Sequence, residues 1–557
     1  MAIPSLIIGS GKWATKQDKL LAYKQNIGGR YFAINGDTSR NSTATFTNQN
    51  GLIESVGNNV ARVDFQDDVK GSLLLEPQST NLITQSESFG NSYWTKSGAS
   101  IQGDPSTAGV ALNTAAFTNS GNPTYDYNTF TGAIATGFTA SGVSAGGSYA
   151  SFQPIADIVV NKTYIITYDL VINSGTAPYL KEAVNSLVQF GQLSSGVGNV
   201  IYAYKSIVGD LWLSHNAGET ADFILSNVSV KEVQGFSAPS VDNPTSAFKL
   251  VEDTSSGQHY IRTPNISVLT EDNFASVIVK PDGRDWVYLF DAWKSAGCYF
   301  NVSIGVVGSS HGGILDTLIE PLVNGYYRIG IKIDSSSTSY QLRIMTADAD
   351  NSNSYTGNST SGIYIYGAQL EALPYSTSYI PTNGSAVTRV KDGATNFGDV
   401  NTFNSEEGVL FFEMSALSDG GSTRVVSLSD GSVSNNIYLS FSPNASFISC
   451  EILSNGGQAN LSYSGIIQSN MNKIAIKYKE NDFALWINGV EVDFDTNGNS
   501  PIGLNKINFN FGQGSFPFYG KVKQLQVYKE ALTDAQLQEL TSHLSYNSLA
   551  VSLNFNI

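Results

Sequence analysis

The feature that most constrains this chain is a period of two. In "KTYIITYDLVI", beginning at Lys162, Tyr164, Ile166, Tyr168, Leu170 and Ile172 fall on one side of an extended backbone. In "YYRIGIKID", Tyr327, Ile329, Ile331 and Ile333 alternate with Arg328, Gly330, Lys332 and Asp334. Side chains of a strand point to opposite faces in turn, so such alternation specifies strands with one dry and one wet face, as in antiparallel sandwiches. In "KIAIKYKENDFALWINGVEVDF", Ile474, Ile476 and Tyr478 alternate, Glu480–Asp482 turn the chain, and Phe483, Leu485 and Ile487 alternate up to Asn488–Gly489. Asn-Gly favours a type I′ turn, so this stretch predicts a hairpin. Helical spacing stands out in "LTDAQLQELTSHL", where Thr533 and Gln536 suit a capping box and Leu537, Leu540 and Leu544 share a face. The fold class expected is therefore all-β: several antiparallel jelly-roll sandwiches in series, the last one concanavalin-like with one short helix.

Composition agrees with many short strands joined by tight turns. Glycines number 53, tyrosines and phenylalanines 28 each, and charged residues make up only 14%. A length of 557 residues exceeds one core and points to three or four domains. Periodicity lapses around Pro239 and Pro244, and again in "LPYSTSYIPTNGSAVTRVKDG". With these lapses as boundaries, the chain reads as an N-terminal segment 1–85, sandwiches 86–236 and 237–385, and a C-terminal sandwich 386–557. The two middle blocks each end strand-rich, in "ADFILSNVSVKEV" and "SGIYIYGAQLEAL", a repetition of pattern rather than identity.

A formal charge of −16 repels phosphate backbones, which argues against nucleic acid as a partner. Cys298 and Cys450 are too few and too far apart for a disulfide scaffold and are expected as buried thiols. The first residues lack a basic stretch ahead of a long apolar run, so a signal peptide is not expected and synthesis is placed in the cytoplasm. No run approaches the ~20 apolar residues of a membrane-spanning helix.

Catalytic and metal chemistry find little purchase. His215, His259, His311 and His543 are isolated from one another, without zinc-site spacing. Calcium has oxygen ligands on offer at Asp419 and Asp430, although Asp-Gly pairs also simply make turns; no other cofactor is expected. "GVSAG" and "GSSHG" match GxSxG, yet neither lies between a strand and a helix as a nucleophile elbow requires. Glu76 has no second carboxylate at a defensible spacing and is read, with Asn81, as a turn or network residue.

Aromatic platforms offer more, because sugars stack their apolar faces on rings. "GRDWVYLFDAW" puts Trp286, Tyr288 and Phe290 on one strand face, Val287 and Leu289 on the other, and Trp293 just beyond. Apolar residues on both faces favour burial between layers over a platform. Trp486 shares a face with Ala484 and Asn488, away from Phe483, Leu485 and Ile487, and is the ring expected to be exposed unless a loop or subunit covers it. Trp212 has no discriminating context. The glycan-binding candidates are Trp486, Asn488, Trp286 and Trp293.

"NQNGLIESVGNNVARVDF" followed by "GSLLLEPQSTNLITQSESFGNSYW" resembles a recurring N-terminal module of bacteriophage virion and tail-fibre proteins. "VNGYYRIGIKI" and "IYIYGAQLEALPYSTSYIPTNGSAVTR" are similar to its second half, where carbohydrate-binding-like sandwiches precede an "SYIPT…TR" linker. "FALWINGVEV" and "FPFYGKVKQLQVYKEALTDAQLQEL" resemble a laminin-G/concanavalin-like domain. One departure is Ala61, where such modules usually place proline before the arginine. The resemblance implies a non-enzymatic virion structural protein, displayed as a fibre, spike or head decoration. It implies a homo-oligomer, with a trimer favoured, docked to other virion proteins through residues 1–85 and contacting host-surface or mucosal glycans. The alternatives are an architectural collar or baseplate subunit and a tailspike-like polysaccharide depolymerase, the latter against the absence of solenoid repeats.

Overall fold

The computed structural model describes residues 2–103, 117–133, 136–152, 163–182, 188–203, 211–232, 236–269, 272–334 and 337–543. It is all-β apart from the helix Asp534–Thr541 and one turn of 3-10 helix. Three sandwiches are present, and they are nested rather than strung in series.

The outermost sandwich is closed by both ends of the chain. Its larger sheet runs Gly393–Thr395, Tyr31–Ser39, Lys19–Gln25, Leu6–Gly9, Gly520–Tyr528, Glu407–Ala416, Asn472–Lys479, Phe483–Ile487, Val490–Asp495. A five-stranded sheet with Asn435–Phe441 at its middle faces it. Leu6, Ile8, Leu73 and Leu75 share one core with Phe412, Ile437, Ile452, Leu525 and Val527. Ile8 pairs with Leu525, and Leu74 with Lys521, so strands from the first 75 residues flank the strand Gly520–Tyr528. Residues 1–85 are thus not a separate segment. Leu6, Ile8, Leu73 and Leu75 are buried by completing the C-terminal sandwich, while Ile53 and Ile83 pack on the middle one.

The middle sandwich interrupts this unit. One sheet runs Thr95–Ser97, Tyr260–Arg262, Leu342–Ala347, Trp286–Asp291, Ala296–Asn301, Val306–His311. The facing sheet runs Ala99–Gln102, Phe248–Glu252, Gly362–Glu371, Asn273–Asp282, Tyr327–Ile333, Ile314–Pro321. Val287, Leu289, Ile329, Ile331 and Ile333 meet in its core, as their alternation requires. The strands at 95–102 place the start of this sandwich upstream of the expected boundary at 237. A third sandwich, of two five-stranded sheets, is inserted between Ala99–Gln102 and Phe248–Glu252, with Ile166, Tyr168 and Leu170 in its core.

The local signals hold. Asn488 (φ 48°) and Gly489 (φ 91°) form the two-residue turn between Phe483–Ile487 and Val490–Asp495. Thr533 caps the helix Asp534–Thr541 in a complete capping box with Gln536. Leu544 lies outside the described residues. Cys298 and Cys450 are both free and buried. No helix among the described residues is long and apolar enough to cross a membrane.

Candidate functional site

Three features of the fold gather polar or aromatic side chains away from the cores. The first is the junction between the outer and middle sandwiches. The strand Ser79–Asn81 pairs with Val387–Arg389, so "LLLEPQSTNLI" and the "SYIPT…TR" stretch meet. Arg62 donates to Glu76 Oε2 at 2.6 Å and pairs with Asp392; Arg40 reaches Asp392 at 3.0 Å, and Arg389 reaches Glu76 at 2.7 Å. Ser378 donates to both Glu76 oxygens, from its amide and its hydroxyl. Burial pushes the Glu76 carboxyl up, but Arg389, Arg62 and Ser378 outweigh it and hold it at about 2. Asn81 donates to the carbonyls of Ala368 and Ile380 and accepts from the amides of Ile83 and Leu370. Glu76 and Asn81 are therefore network residues that fasten two sandwiches together, and Arg62, whatever precedes it, is the hub.

The second feature is a cavity of about 330 Å³ at the same junction, lined among others by Asp64, Asp67, Asp316, Glu320, Arg328 and Lys521. Lys521 pairs with Asp64 (3.4 Å) and Asp67. Burial pushes the Glu320 carboxyl up, with Arg328 and Lys521 pulling it down. Asp316 and Glu320 lie four residues apart on one strand, about 13 Å between Cα atoms.

The third feature is the outer face of the middle sandwich's 286–291 sheet. The opposite outer face of this sandwich is covered: Ile53 of the hairpin Ala44–Val56 packs with Ala238, Ile278, Tyr326, Tyr366 and Tyr379. On the 286–291 side, residues whose neighbours point into the core turn outward and form a layer of rings. Tyr288 stacks on Tyr299 with centroids 4.1 Å apart, and His311 meets both edge-on. Trp286, Phe290 and Tyr260 pack on this pair and remain partly exposed. Burial pushes the Tyr288 hydroxyl up to about 12, so it stays a neutral donor at ordinary pH. At the Trp286 end, Asp350 accepts from the amide and hydroxyl of Ser309; His311, level with Phe290 across Gly297, has its Nε2 2.7 Å from Asn351 Oδ1. At the Phe290 end stand Arg343 and Arg262.

The sequence-derived candidates divide accordingly. Trp286 belongs to this face and is partly exposed, while Tyr288 beside it is buried, as apolar residues on both faces of the strand lead one to expect. Trp293 is 53% exposed in the turn after the same strand, its ring nitrogen donating to Asn265 at 3.2 Å. Trp486 is not an exposed ring: it is 7% exposed, packed with Phe411, Tyr528, Leu532 and Leu537 beneath the helix. Its face points away from the core, as alternation required, but Leu537 and Leu540 of the amphipathic helix cover it. Asn488 is a turn residue, accepting from the Lys473 amide and donating to Asn472. Asp419 accepts from Ser446 and from the Gln468 amide, and Asp430 from Ser432 and Asn435, which are turn-closing roles. No group of three or more His, Cys, Asp or Glu suited to a metal ion occurs among the described residues. Ser310 of "GSSHG" lies on the strand Val306–His311, and Ser144 of "GVSAG" donates to the Asp126 carbonyl; neither opens a helix. Alternation alone missed Tyr299, Tyr260 and Arg343, which reach the face from other strands. A second stack, Tyr149 on Trp212 at 4.4 Å, lies in the inserted sandwich and gives Trp212 a partner.

No protein-family model matches the chain, and no curated protein matches it. Among solved structures it is similar in part to carbohydrate-binding modules. The CBM40 of Ruminococcus gnavus IT-sialidase bound to α2,3-sialyllactose aligns at 17% identity over 27% of this chain and 94% of that one, TM-score 0.23. Domain 4 of AbnA, a GH43 extracellular arabinanase from Geobacillus stearothermophilus in complex with arabinotriose, aligns at 16% identity over 30% and 82%, TM-score 0.21. The N-terminal CBM22 tandem of Paenibacillus barcinonensis Xyn10C aligns at 12% identity over 50% and 99%, TM-score 0.17. At such scores the ligands of those proteins carry nothing over; what this chain binds is decided by its own residues.

Proposed function

We propose that this chain is a non-enzymatic structural protein of a bacteriophage particle, displayed on its surface, whose middle sandwich binds glycans. The observation that carries the binding reading is the set of partly exposed rings Trp286, Phe290 and Tyr260, packed around the buried Tyr288–Tyr299 pair on the outer face opposite the one that the hairpin Ala44–Val56 covers. Partly exposed rings give stacking surface, and Ser309, Asp350 and His311 give hydrogen-bonding groups that orient a sugar. The phage setting rests on the resemblance of residues 48–65 and 71–94 and of the "SYIPT…TR" stretch to virion modules. In that setting the chain is a homo-oligomer that meets other virion proteins through the outer sandwich. The engagement of Asp64 and Asp67 by Lys521 supports the non-enzymatic reading over a depolymerase.

The test is a glycan array probed with the full chain, beside Trp286→Ala/Phe290→Ala, with immunogold labelling of intact virions in parallel. Binding to a defined set of glycans, reduced roughly ten-fold or more in the double variant, is expected. Binding to none, or binding indifferent to these rings, overturns the site; virions without label overturn the display.

A further inference from the structure

Arg262 and Arg343 stand directly opposite each other on neighbouring antiparallel strands of the ring-bearing face. Like charges in that position repel. The usual remedy is a carboxylate, yet neither arginine forms an ion pair with any described residue. The contrast with Arg284 is informative, because it is held by Glu252 in a two-pronged pair at 2.7 Å. Arg343 lies instead between rings, its guanidinium carbon 4.9 Å from the Tyr260 centroid and 5.7 Å from that of Phe290. Its Nε is buried and has no hydrogen-bond partner. The rings fix the guanidinium plane and leave its donors unspent. In a chain of net charge −16, two adjacent cations on an aromatic face with no ion-pair partner among the described residues offer a place for an anion.

We propose that the glycan bound on this face carries a carboxylate, which Arg343 and Arg262 receive while its ring stacks at Phe290 and Tyr260. The planar fork of a guanidinium matches a carboxylate with two parallel hydrogen bonds. A long polyanion is disfavoured by the field of the whole molecule, so the ligand is a saccharide with an isolated acidic unit. Trp286, four residues from Phe290, lies about 13 Å along the strand, which leaves room for further units toward Asp350 and Ser309.

This inference rests on the glycan-binding reading above, and the experiment separates the two. Isothermal titration of the full chain would use sialyllactose and a neutral oligosaccharide bearing a single glucuronate, each beside its carboxyl-reduced form, with lactose and a sulfated lactose as further probes. Expected is binding of at least one acidic saccharide, weakened roughly ten- to hundred-fold on reduction of its carboxyl. Arg343→Gln should bring the acidic form down to the affinity of its reduced form, and Arg343→Lys should restore part of the difference. Comparing the ligand with its reduced form needs no variant, so a misfolded variant does not blunt the test. Equal affinity for acidic and reduced forms, lost in Trp286→Ala/Phe290→Ala, overturns the carboxylate and leaves the glycan site standing. Preference for the sulfated probe over both carboxylates also overturns it, and no binding of any saccharide overturns both readings.

Discussion

Replacing Glu76 with Gln keeps the side chain's volume and removes its charge from the most buried ion-pair network of the molecule. Glu76 Oε2 receives Arg62 at 2.6 Å, Arg389 at 2.7 Å and the Ser378 hydroxyl at 2.7 Å, and Oε1 receives the Ser378 amide at 2.7 Å. An amide presents two N–H groups where only acceptors fit, and Arg389 loses its one ion-pair partner among the described residues. Breaking a buried pair by removing one partner costs about 3–5 kcal/mol. The carboxyl's own titration gives a comparable figure: a fall from 4.5 to about 2 corresponds to roughly 3 kcal/mol at neutral pH. A loss near 3 kcal/mol in a unit of this size lowers Tm by about 6–12 °C. The sign with pH follows from the lowered pKa. The contribution is complete above about pH 4.5 and drains away as pH falls toward 2, because protonation in the unfolded chain then precedes protonation in the folded one. Scanning calorimetry of wild type and Glu76→Gln between pH 7 and 3 should show a Tm gap widest near neutrality and closing in acid. A gap below about 2 °C, or one of constant width across that range, would refute the reasoning.

Two further outcomes follow from the nested architecture. Trp486→Ala should cost about 3–5 kcal/mol by leaving a cavity beneath the helix, measured by chemical denaturation, while glycan binding by the middle sandwich is unchanged; lost binding with intact stability would return Trp486 to the ligand surface. Residues 386–557 expressed alone should lack a cooperative unfolding transition and bind hydrophobic dyes, since Leu6–Gly9 and Ser72–Leu75 complete their sheet; a sharp transition in that fragment would show that the outer sandwich does not need the first 75 residues.

The strands were legible because alternation is a local property. Ile329, Ile331 and Ile333 had to share a face, and that face had to be buried. Alternation names the face but never the partner, and that limit accounts for the domain boundaries. Nothing in "SLII" near residue 5 says that its partner lies 500 residues downstream. The same limit separates the two tryptophan strands. The outward face of Phe483–Ile487 was correctly assigned, and the signal for its cover lay in Leu537 and Leu540 of a helix with no other surface to pack on. The outward face of Trp286–Asp291 was correctly seen as apolar, but an aromatic layer packed on itself reads in sequence like a second core. Arg262 and Arg343 lie 81 positions apart, and only the register of two strands brings them together.

Nesting also explains why so much charge is buried where the chain could have stayed apolar. Each insertion leaves its host through one strand and returns through a neighbour: Ser79–Asn81 beside Val387–Arg389, and Ala99–Gln102 beside Phe248–Glu252. A hydrophobic seam of that size would tolerate sliding, and a one-residue slip turns every side chain of a strand to the wrong face. Arg62, Arg389, Arg40, Glu76 and Asp392 accept only one alignment, because each misplaced charge would be left unpaired away from water. The cost of burying them is offset by register at the seam where the middle sandwich, with its ring-bearing face, joins the outer one.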